Sequence, residues 1–400
     1  MTMRDPDRST GRPSEGKGRI AFYPFRGELR FPRNNREYFL SRELAARGWQ
    51  VRWLRPKSGE NSGVDLEWPV LRLGDLDHRG RRFFYPVYLA GRLWAAGVDV
   101  LWLSGWTIRG LQELSWTVRA ARAAGVRVVY DPIDPICEYE DAQREGEPTV
   151  LEQCTERAAD VYSACDLVTC VTPEIRQPLM DHGAPGERLV VARWGTDAKR
   201  FDPETVRCDF KERLGLDPDT FLVGWLGTMD RFKGLKEIIV PLAERVSDSR
   251  RDVHFVIAGK GPLKPELERW AEEHPNVPVS VLGTIPYDEA PNFTGSLDAY
   301  LVPTLPRSAY AESICPVKCF DALAMGTPLI TTSTSATRFL ADFSELVSLV
   351  DHGRGAFLEA LTRIHDADPD PPPERDAVER EYSHQAVSVD LADAIETLTS

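Results

Sequence analysis

Short apolar runs alternate with amphipathic stretches of helical period along almost the whole chain, and this alternation constrains the fold more than any other feature. Near the N-terminus, RIAFYPF (19–25) is followed by a helical pattern that ends at Gly48 and then by a second apolar run, WQVRWL (49–54). Repeats of strand, helix and strand are typical of parallel sheets with helices on both faces. The sequence therefore predicts an α/β protein.

The alternation occurs in two successive units, and a chain of 400 residues is long enough for two or three domains. We predict two facing, doubly wound, Rossmann-like domains. Open sheets of this kind bind ligands at the carboxyl ends of their strands, so the active site is expected in the cleft between the domains. The predicted segments are a flexible N-terminal tail (1–18), a first domain (19–194), a second domain (195–381) and a C-terminal helix (382–400) that packs back toward the first domain.

Composition narrows the functional classes. The seven cysteines are scattered without a CxxC pair, which favours reduced thiols in a cytoplasmic protein over disulfides or a zinc site. No apolar run approaches the length of a membrane span, and the net charge of −13 argues against nucleic-acid binding. Residues 1–60 nevertheless carry 14 Lys and Arg against 7 Asp and Glu. This surplus is either a solvated face or a surface for an anionic acceptor or peripheral contact with anionic lipid.

Glycine turns with nearby cations follow two strands of the second unit. In GWLGTMDRFKG (224–234) a glycine turn precedes Arg231 and Lys233, and FVIAGKGP (255–262) contains a second glycine turn. Exposed backbone N–H groups and basic side chains at such turns stabilise phosphates. A third segment, ESICPVKCFDALAMGTPLITT (312–332), contains a lysine and an acid on the first turns of a helix before a buried strand. The series predicts a phosphate-containing ligand.

These segments together resemble the family 4 glycosyltransferases of the GT-B fold, and WGTDAKRF (194–201) is similar to the interdomain NG-x-D-x-x-x-F segment of that family. The resemblance implies a retaining enzyme that moves a sugar from a UDP- or GDP-linked donor to a small-molecule or lipid-linked acceptor. It further implies a role in natural-product or cell-surface glycan biosynthesis. It implies no metal and no cofactor, because basic residues and helix dipoles replace a cation.

The resemblance also assigns roles to residues. Lys233 would offset the charge on the leaving diphosphate, Asp321 would accept hydrogen bonds from the ribose hydroxyls, and Glu312 would contact the transferred sugar. The implied donor-binding set is Gly227, Thr228, Gly259, Gly261, Glu312, Ile314, Cys315, Pro316, Val317, Lys318 and Asp321. For Lys318 a solvated helix position is the alternative reading.

The chain departs from the family pattern at three points. The arginine that commonly follows the first glycine is Thr228 here, and Arg231 could take over its role. The ribose-binding acid is an aspartate, where the family usually has glutamate. Glu312 and Asp321 are nine positions apart instead of the usual eight.

The first unit is more divergent. Arg30, Arg33 and Asn34 follow the first strand, and Asp131 and Asp134 follow a later one. We predict that Arg30, Arg33, Asn34 and Asp131 contact the acceptor, and that Asp134 orients or deprotonates its hydroxyl.

No side chain stands out as a covalent nucleophile, so a front-face displacement assisted by the leaving phosphate is preferred. Two alternatives stay open at this point. One is a nucleotide-sugar epimerase or phosphorolytic enzyme of the same fold, and the other is a non-catalytic nucleotide-sugar-binding subunit.

Overall fold

The computed structural model describes residues 16–24, 36–56, 68–73, 81–105, 111–133, 137, 148–248, 250, 252–305, 309–367 and 374–400. Two parallel sheets, one in each half of the chain, are each covered by helices on both faces. The predicted α/β class with two doubly wound sheets is confirmed.

The first sheet has seven parallel strands in the order β3-β2-β1-β4-β5-β6-β7. Its strands are β1 Arg19–Pro24, β2 Gln50–Pro56, β3 Val70–Leu73, β4 Val100–Ser104, β5 Arg127–Asp131, β6 Leu167–Cys170 and β7 Leu189–Val191. Its helices are α1 Arg36–Ala46, α2 Arg81–Ala95, α3 Leu111–Ala123, α4 Pro148–Ala164 and α5 Pro173–Asp181. All five residues of β4 are buried, as expected for a central strand covered on both faces. The winding reverses between β1 and β4, and such switch points bind ligands.

The second sheet has six parallel strands in the order β10-β9-β8-β11-β12-β13. Its strands are β8 Phe221–Thr228, β9 Val253–Lys260, β10 Val279–Leu282, β11 Ala299–Val302, β12 Leu329–Thr332 and β13 Val347–Val350. The helices of this half are α6 Phe210–Arg213, α7 Val240–Ser247, α8 Lys264–Glu273, α9 Ala290–Gly295, α10 Ala309–Ser313, α11 Val317–Met325, α12 Arg354–Ala367, α13 Arg375–Ala377 and α14 His384–Thr399. The switch point lies between β8 and β11.

The last helix, α14, returns to the first sheet. Ser383 caps it by accepting a 3.0 Å hydrogen bond from the Ala386 N–H. Three apolar residues of α14, namely Val387, Leu391 and Ile395, lie in one buried cluster with residues of α1 and β1. The end of the chain therefore covers one face of the first sheet.

The carboxyl edges of the two sheets face one another. Phe232, Tyr310 and Ile314, from loops and a short helix at the carboxyl edge of the second sheet, belong to the same buried cluster as Val171 and Ile175, which follow β6. A hydrogen bond of 2.6 Å from the Thr172 hydroxyl to the Ser313 carbonyl joins the same two regions. This arrangement positions the loops that were predicted to bind the donor against the first domain.

Candidate active site

Two glycine turns meet at the carboxyl edge of the second sheet. Gly227 pairs with Gly259, and Thr228 pairs with Lys260, in the register of β8 and β9. Gly259 has a φ of 142°, and a Cβ there would overlap the Gly227 carbonyl. A Cβ at Gly261 would meet the backbone of Met229 in the same way. These glycines are required because the backbones approach too closely for side chains.

The turn Arg231–Lys233 follows β8 and is held by Phe232. The Phe232 ring is buried and meets Tyr310 edge-on, with 5.6 Å between the ring centroids. The Lys233 ammonium lies 4.8 Å from the centroid of the same ring. Gly234 ends the turn at a φ of 66°, a left-handed conformation that favours glycine. The turn thus fixes the backbone next to Lys233, while Arg231 is exposed.

Helix α11 brings Lys318 to the end of β8. Its ammonium donates a hydrogen bond to the Leu226 carbonyl and lies 5.1 Å from the centroid of the Trp225 ring. Burial lowers the pKa of Lys318 to about 7, and repulsion from the nearby Lys233 ammonium adds to the shift. Lys318 is therefore not a solvated helix residue. The two ammonium groups form a cationic pair at the predicted phosphate position.

The segment that leads into α11, Ile314–Val317, belongs to the predicted donor-binding set, and its role there stays a prediction. Ile314 and Cys315 are buried, and Pro316 is the N-cap residue directly before α11. Proline has no N–H group, so only the N–H groups of its neighbours can contribute to phosphate binding. The helix ends at Gly326, whose φ is 71°, and the chain turns from there into β12 as the sequence indicated.

Asp321 lies one turn further along α11 than Lys318. Its Oδ1 accepts a hydrogen bond from the Thr196 hydroxyl, which belongs to the segment joining the two domains. Burial raises the pKa of Asp321 to about 7, while the Thr196 hydrogen bond and the Lys318 charge oppose that rise. Asp197 raises the pKa further through charge repulsion. The carboxyl group is enclosed beside the cationic pair.

Glu312 supports the loop that follows β12. Its carboxylate accepts a hydrogen bond of 3.2 Å from the Ser335 N–H, and its carbonyl accepts one of 3.2 Å from the Ala336 N–H. The predicted contact of Glu312 with the transferred sugar stays a prediction. The structure assigns the carboxylate at least one partner within the protein.

Asp131 lies inside the first domain. It forms a buried ion pair with Arg36, at 3.2 Å from Nη1 to Oδ1, and its Oδ1 also accepts a 2.6 Å hydrogen bond from the Thr169 hydroxyl. Neighbouring Glu37 is buried, and burial together with Asp131 raises the pKa of its carboxyl group. Arg30, Arg33, Asn34 and Asp134, to which the sequence also gave roles at the acceptor side, lie outside the described residues.

Two residues with close polar neighbours, Thr196 beside Asp321 and Glu37 beside Asp131, were not predicted from the sequence. Thr196 occupies the variable position of the interdomain motif, and only its distance from Asp321 in space marks it. Glu37 directly follows the buried Arg36, and no motif distinguished it. Within the described ranges, no group of three or more His, Cys, Asp or Glu side chains is arranged to hold a metal ion. None of the described helices has both the length and the apolar character needed to cross a membrane.

Comparison with known families agrees with this geometry. The family model for "Glycosyl transferases group 1" matches residues 220–366, and that for "Glycosyl transferase 4-like domain" matches residues 38–195. The chain is a group 1 glycosyltransferase of the GT-B fold. The two matches follow the two sheets, and the predicted family and enzyme class are confirmed.

Individual relatives are distant. The D-inositol 3-phosphate glycosyltransferase of Corynebacterium aurimucosum is 26% identical over 359 residues, which is 82% of this chain and 81% of that protein. Sucrose-phosphate synthase from Thermosynechococcus elongatus has a TM-score of 0.73 at 16% identity, covering 95% of this glycosyltransferase and 99% of that chain. Anabaena HepE in complex with UDP has a TM-score of 0.70 at 12% identity, and the match covers 95% of this glycosyltransferase and 100% of that chain. At such identities the two solved structures establish the shared fold alone.

Proposed function

We propose that this glycosyltransferase takes its sugar from a nucleoside diphosphate donor bound at the carboxyl edge of the second sheet. The observation that carries the proposal is the cationic pair of Lys233 and Lys318 next to the half-buried carboxyl group of Asp321. Two neighbouring ammonium groups favour the binding of an anion. A diphosphate supplies it, and the adjacent ribose supplies hydroxyl donors for Asp321.

In the proposed reaction, the position of Lys233 matters because negative charge develops on the leaving group. As the bond between the sugar and the diphosphate breaks, negative charge grows on the leaving phosphate. Lys233 attracts that charge more strongly in the transition state than in the ground state, which lowers the barrier. Arg231, on the same turn, adds positive charge. No metal ion is needed in this proposal, because side chains provide the neutralisation.

The acceptor binds on the side of the first domain, across the cleft from the donor. We infer a small-molecule or lipid-linked acceptor, in natural-product or cell-surface glycan biosynthesis. The Corynebacterium relative, by its name, acts on a phosphorylated cyclitol, which supports a small polar acceptor. Asp134 remains the candidate that orients the acceptor hydroxyl, and the leaving phosphate accepts the proton in a front-face displacement with retention.

Release of nucleoside diphosphate tests the proposal. The protein is incubated with UDP-linked and GDP-linked hexoses, with and without a panel of acceptors, and free UDP or GDP is measured. A transferase releases nucleoside diphosphate and forms a glycoside, whose anomeric configuration is read by NMR. Interconversion of nucleotide sugars without glycoside formation would instead indicate an epimerase. Tight binding of UDP or GDP without turnover would indicate a non-catalytic subunit.

A further inference from the structure

Thr196 lies where the chain crosses twice between the domains. Its N–H donates a 2.9 Å hydrogen bond to the Tyr382 carbonyl, and its own carbonyl accepts a 2.9 Å hydrogen bond from the His384 N–H. The outgoing segment is therefore paired with the segment that returns the chain to α14, as an isolated parallel bridge between Thr196 and Ser383. A Cβ at Gly195 would overlap the backbone of Ser383 and His384, so the two segments are in close contact.

The backbone pairing fixes the Thr196 side chain against α11. Thr196 is only 1% exposed, and its hydroxyl donates to Oδ1 of Asp321. A hydroxyl has one proton to donate, and this one goes to the carboxylate. The hydrogen bond fixes the rotation of the Asp321 carboxyl group while Oδ2 is still able to accept. A ribose diol needs acceptors in such a fixed orientation.

We propose that Thr196 is a positioning residue for the donor site. It holds Asp321 in the orientation and charge state that bind the ribose, and it connects that carboxylate to the point where the two domains are joined. The inference rests on the proposed role of Asp321 in donor binding. It assigns a function to a residue that the interdomain motif leaves variable.

The electrostatic surroundings of Asp321 make this role measurable. The charged or titratable groups that act on it come from its own helix, the interdomain segment and two neighbouring elements; they are Lys318, Asp197, Tyr287 and Tyr300. The Thr196 hydrogen bond lowers the pKa of Asp321. Without this hydrogen bond, burial and the charge of Asp197 raise the pKa of Asp321 further. The carboxyl group then stays protonated to a higher pH.

The test compares Thr196→Val with Thr196→Ser and with the matched control Thr327→Val. Thr327 is equally a buried threonine of the second domain, and its hydroxyl donates a 2.9 Å hydrogen bond to the Thr294 carbonyl beyond the far end of α11. The dissociation constant of UDP, or of GDP where the wild type prefers it, is measured by calorimetry between pH 5.5 and 8.5. Thermal unfolding of each variant is measured in parallel.

We expect Thr196→Val to weaken nucleotide binding about 5- to 30-fold at pH 7, a change of roughly 1–2 kcal/mol, because the Asp321 carboxyl group is then more often protonated and less firmly oriented. The acidic limb of the binding profile shifts to higher pH, and Thr196→Ser restores both properties. Thr327→Val loses stability without changing the profile. In an Asp321→Ala background, Thr196→Val has no further effect on binding, because the carboxylate that Thr196 orients is absent.

Two outcomes separate this inference from the proposed function. A wild-type protein that binds neither UDP nor GDP overturns both. A wild type that binds nucleotide, together with a Thr196→Val variant whose dissociation constant and pH profile are unchanged, overturns only the role of Thr196. Equal effects of Thr196→Val and Thr327→Val would also overturn it, because the loss would then be one of general stability.

Discussion

Lys318 and Asp321 lie three residues apart on α11, and burial moves their pKa values toward each other, to about 7 for both. One is a base whose charge is lost above neutral pH, and the other is an acid whose charge is lost below it. The free site therefore has labile charges near neutral pH. In the proposed donor complex, the diphosphate selects the charged form of Lys318, and the ribose hydroxyls select the charged form of Asp321.

The protein is predicted to take up a proton when it binds a nucleotide at pH 8. Lys318 is then mostly neutral in the free protein because its pKa is lowered to about 7, and a diphosphate next to it raises that pKa again. Asp321 is already ionised at pH 8 and contributes little. Calorimetry in two buffers of different ionisation enthalpy should report uptake approaching one proton per nucleotide, and affinity should fall by up to about tenfold per pH unit above 7.

Lys318→Met is the control for that measurement. It keeps the apolar contact with Trp225 and removes the titrating group, so the proton uptake should disappear. Uptake that persists in Lys318→Met would assign the proton to another group. An absence of uptake in the wild type would contradict the placement of the diphosphate against Lys318.

Asp321→Ala is predicted to weaken nucleotide binding about 5- to 100-fold, because ribose hydroxyls lose a charged acceptor worth roughly 1–3 kcal/mol. The dissociation constant of UDP or GDP, measured by calorimetry, checks this. Circular dichroism should show that the fold is intact. Asp376→Ala serves as a matched control, since Asp376 is an exposed carboxylate of the same domain. A wild-type dissociation constant in Asp321→Ala would exclude a role for Asp321 in donor binding.

The two sheets and helix α11 could be predicted from the sequence because both depend on local patterns. The apolar run 221–228 and the glycines after it define a buried strand with a tight turn, whatever surrounds them. The hydrogen bond between Thr196 and Asp321 could not be predicted in this way. It joins residues 125 positions apart, and it exists only because the chain crosses twice between the domains.

Strand β3 and the start of helix α7 show a second limit of sequence patterns. Val70–Leu73 is a strand of four residues at the edge of its sheet, and an edge strand this short has no clear period. The stretch LKEIIVPLAERVSD (235–248) has the apolar pattern of a single helix, but in the structure a π-helical turn over Leu235–Ile239 precedes α7. Pro241 lies two residues after that turn, in the first turn of α7. Proline has no N–H group for a helical hydrogen bond, and its ring clashes with the carbonyl four residues earlier, which accounts for the irregular start.

Asp131, which the sequence analysis assigns to the acceptor site, also forms a buried ion pair with Arg36. Asp131→Ala leaves Arg36 as an unpaired buried charge, and breaking such a pair costs about 3–5 kcal/mol. Chemical denaturation followed by tryptophan fluorescence should show this loss. Asp160→Ala is the matched control, because its 3.3 Å pair with Arg119 is exposed and is worth about 0–1 kcal/mol. Wild-type stability of Asp131→Ala, with loss of acceptor use alone, would instead support the acceptor contact.

Activity is predicted to survive excess EDTA. Lys233, Lys318 and Arg231 neutralise the diphosphate in the proposed mechanism, so a chelator removes nothing that the reaction needs. The initial rate of nucleoside diphosphate release is compared with and without prolonged EDTA treatment, and the two rates should agree within about twofold, a difference of roughly 0.4 kcal/mol. Loss of turnover that magnesium or manganese restores would show that the phosphates are bound in another way.

Lys233 distinguishes a catalyst from a binding protein. If its ammonium contacts the leaving phosphate, its attraction grows as the bond to the sugar breaks, so it lowers the barrier and does more than tighten binding. Lys233→Ala should then reduce kcat by about 10²-fold or more, the usual loss for one such group, with a smaller change in KM. Lys233→Arg should recover only part, because a planar guanidinium replaces a compact ammonium.

Lys236→Ala is the control for Lys233. Lys236 lies three residues further on, is 49% exposed and pairs with Glu266 at the surface, so its removal should leave kcat unchanged. Steady-state rates at saturating donor decide the question. A Lys233→Ala enzyme within about twofold of wild type, a difference worth roughly 0.4 kcal/mol, would mean that this ammonium does not stabilise the leaving group. In that case, Lys318 and the backbone of α11 would have to stabilise the negative charge that develops on the diphosphate.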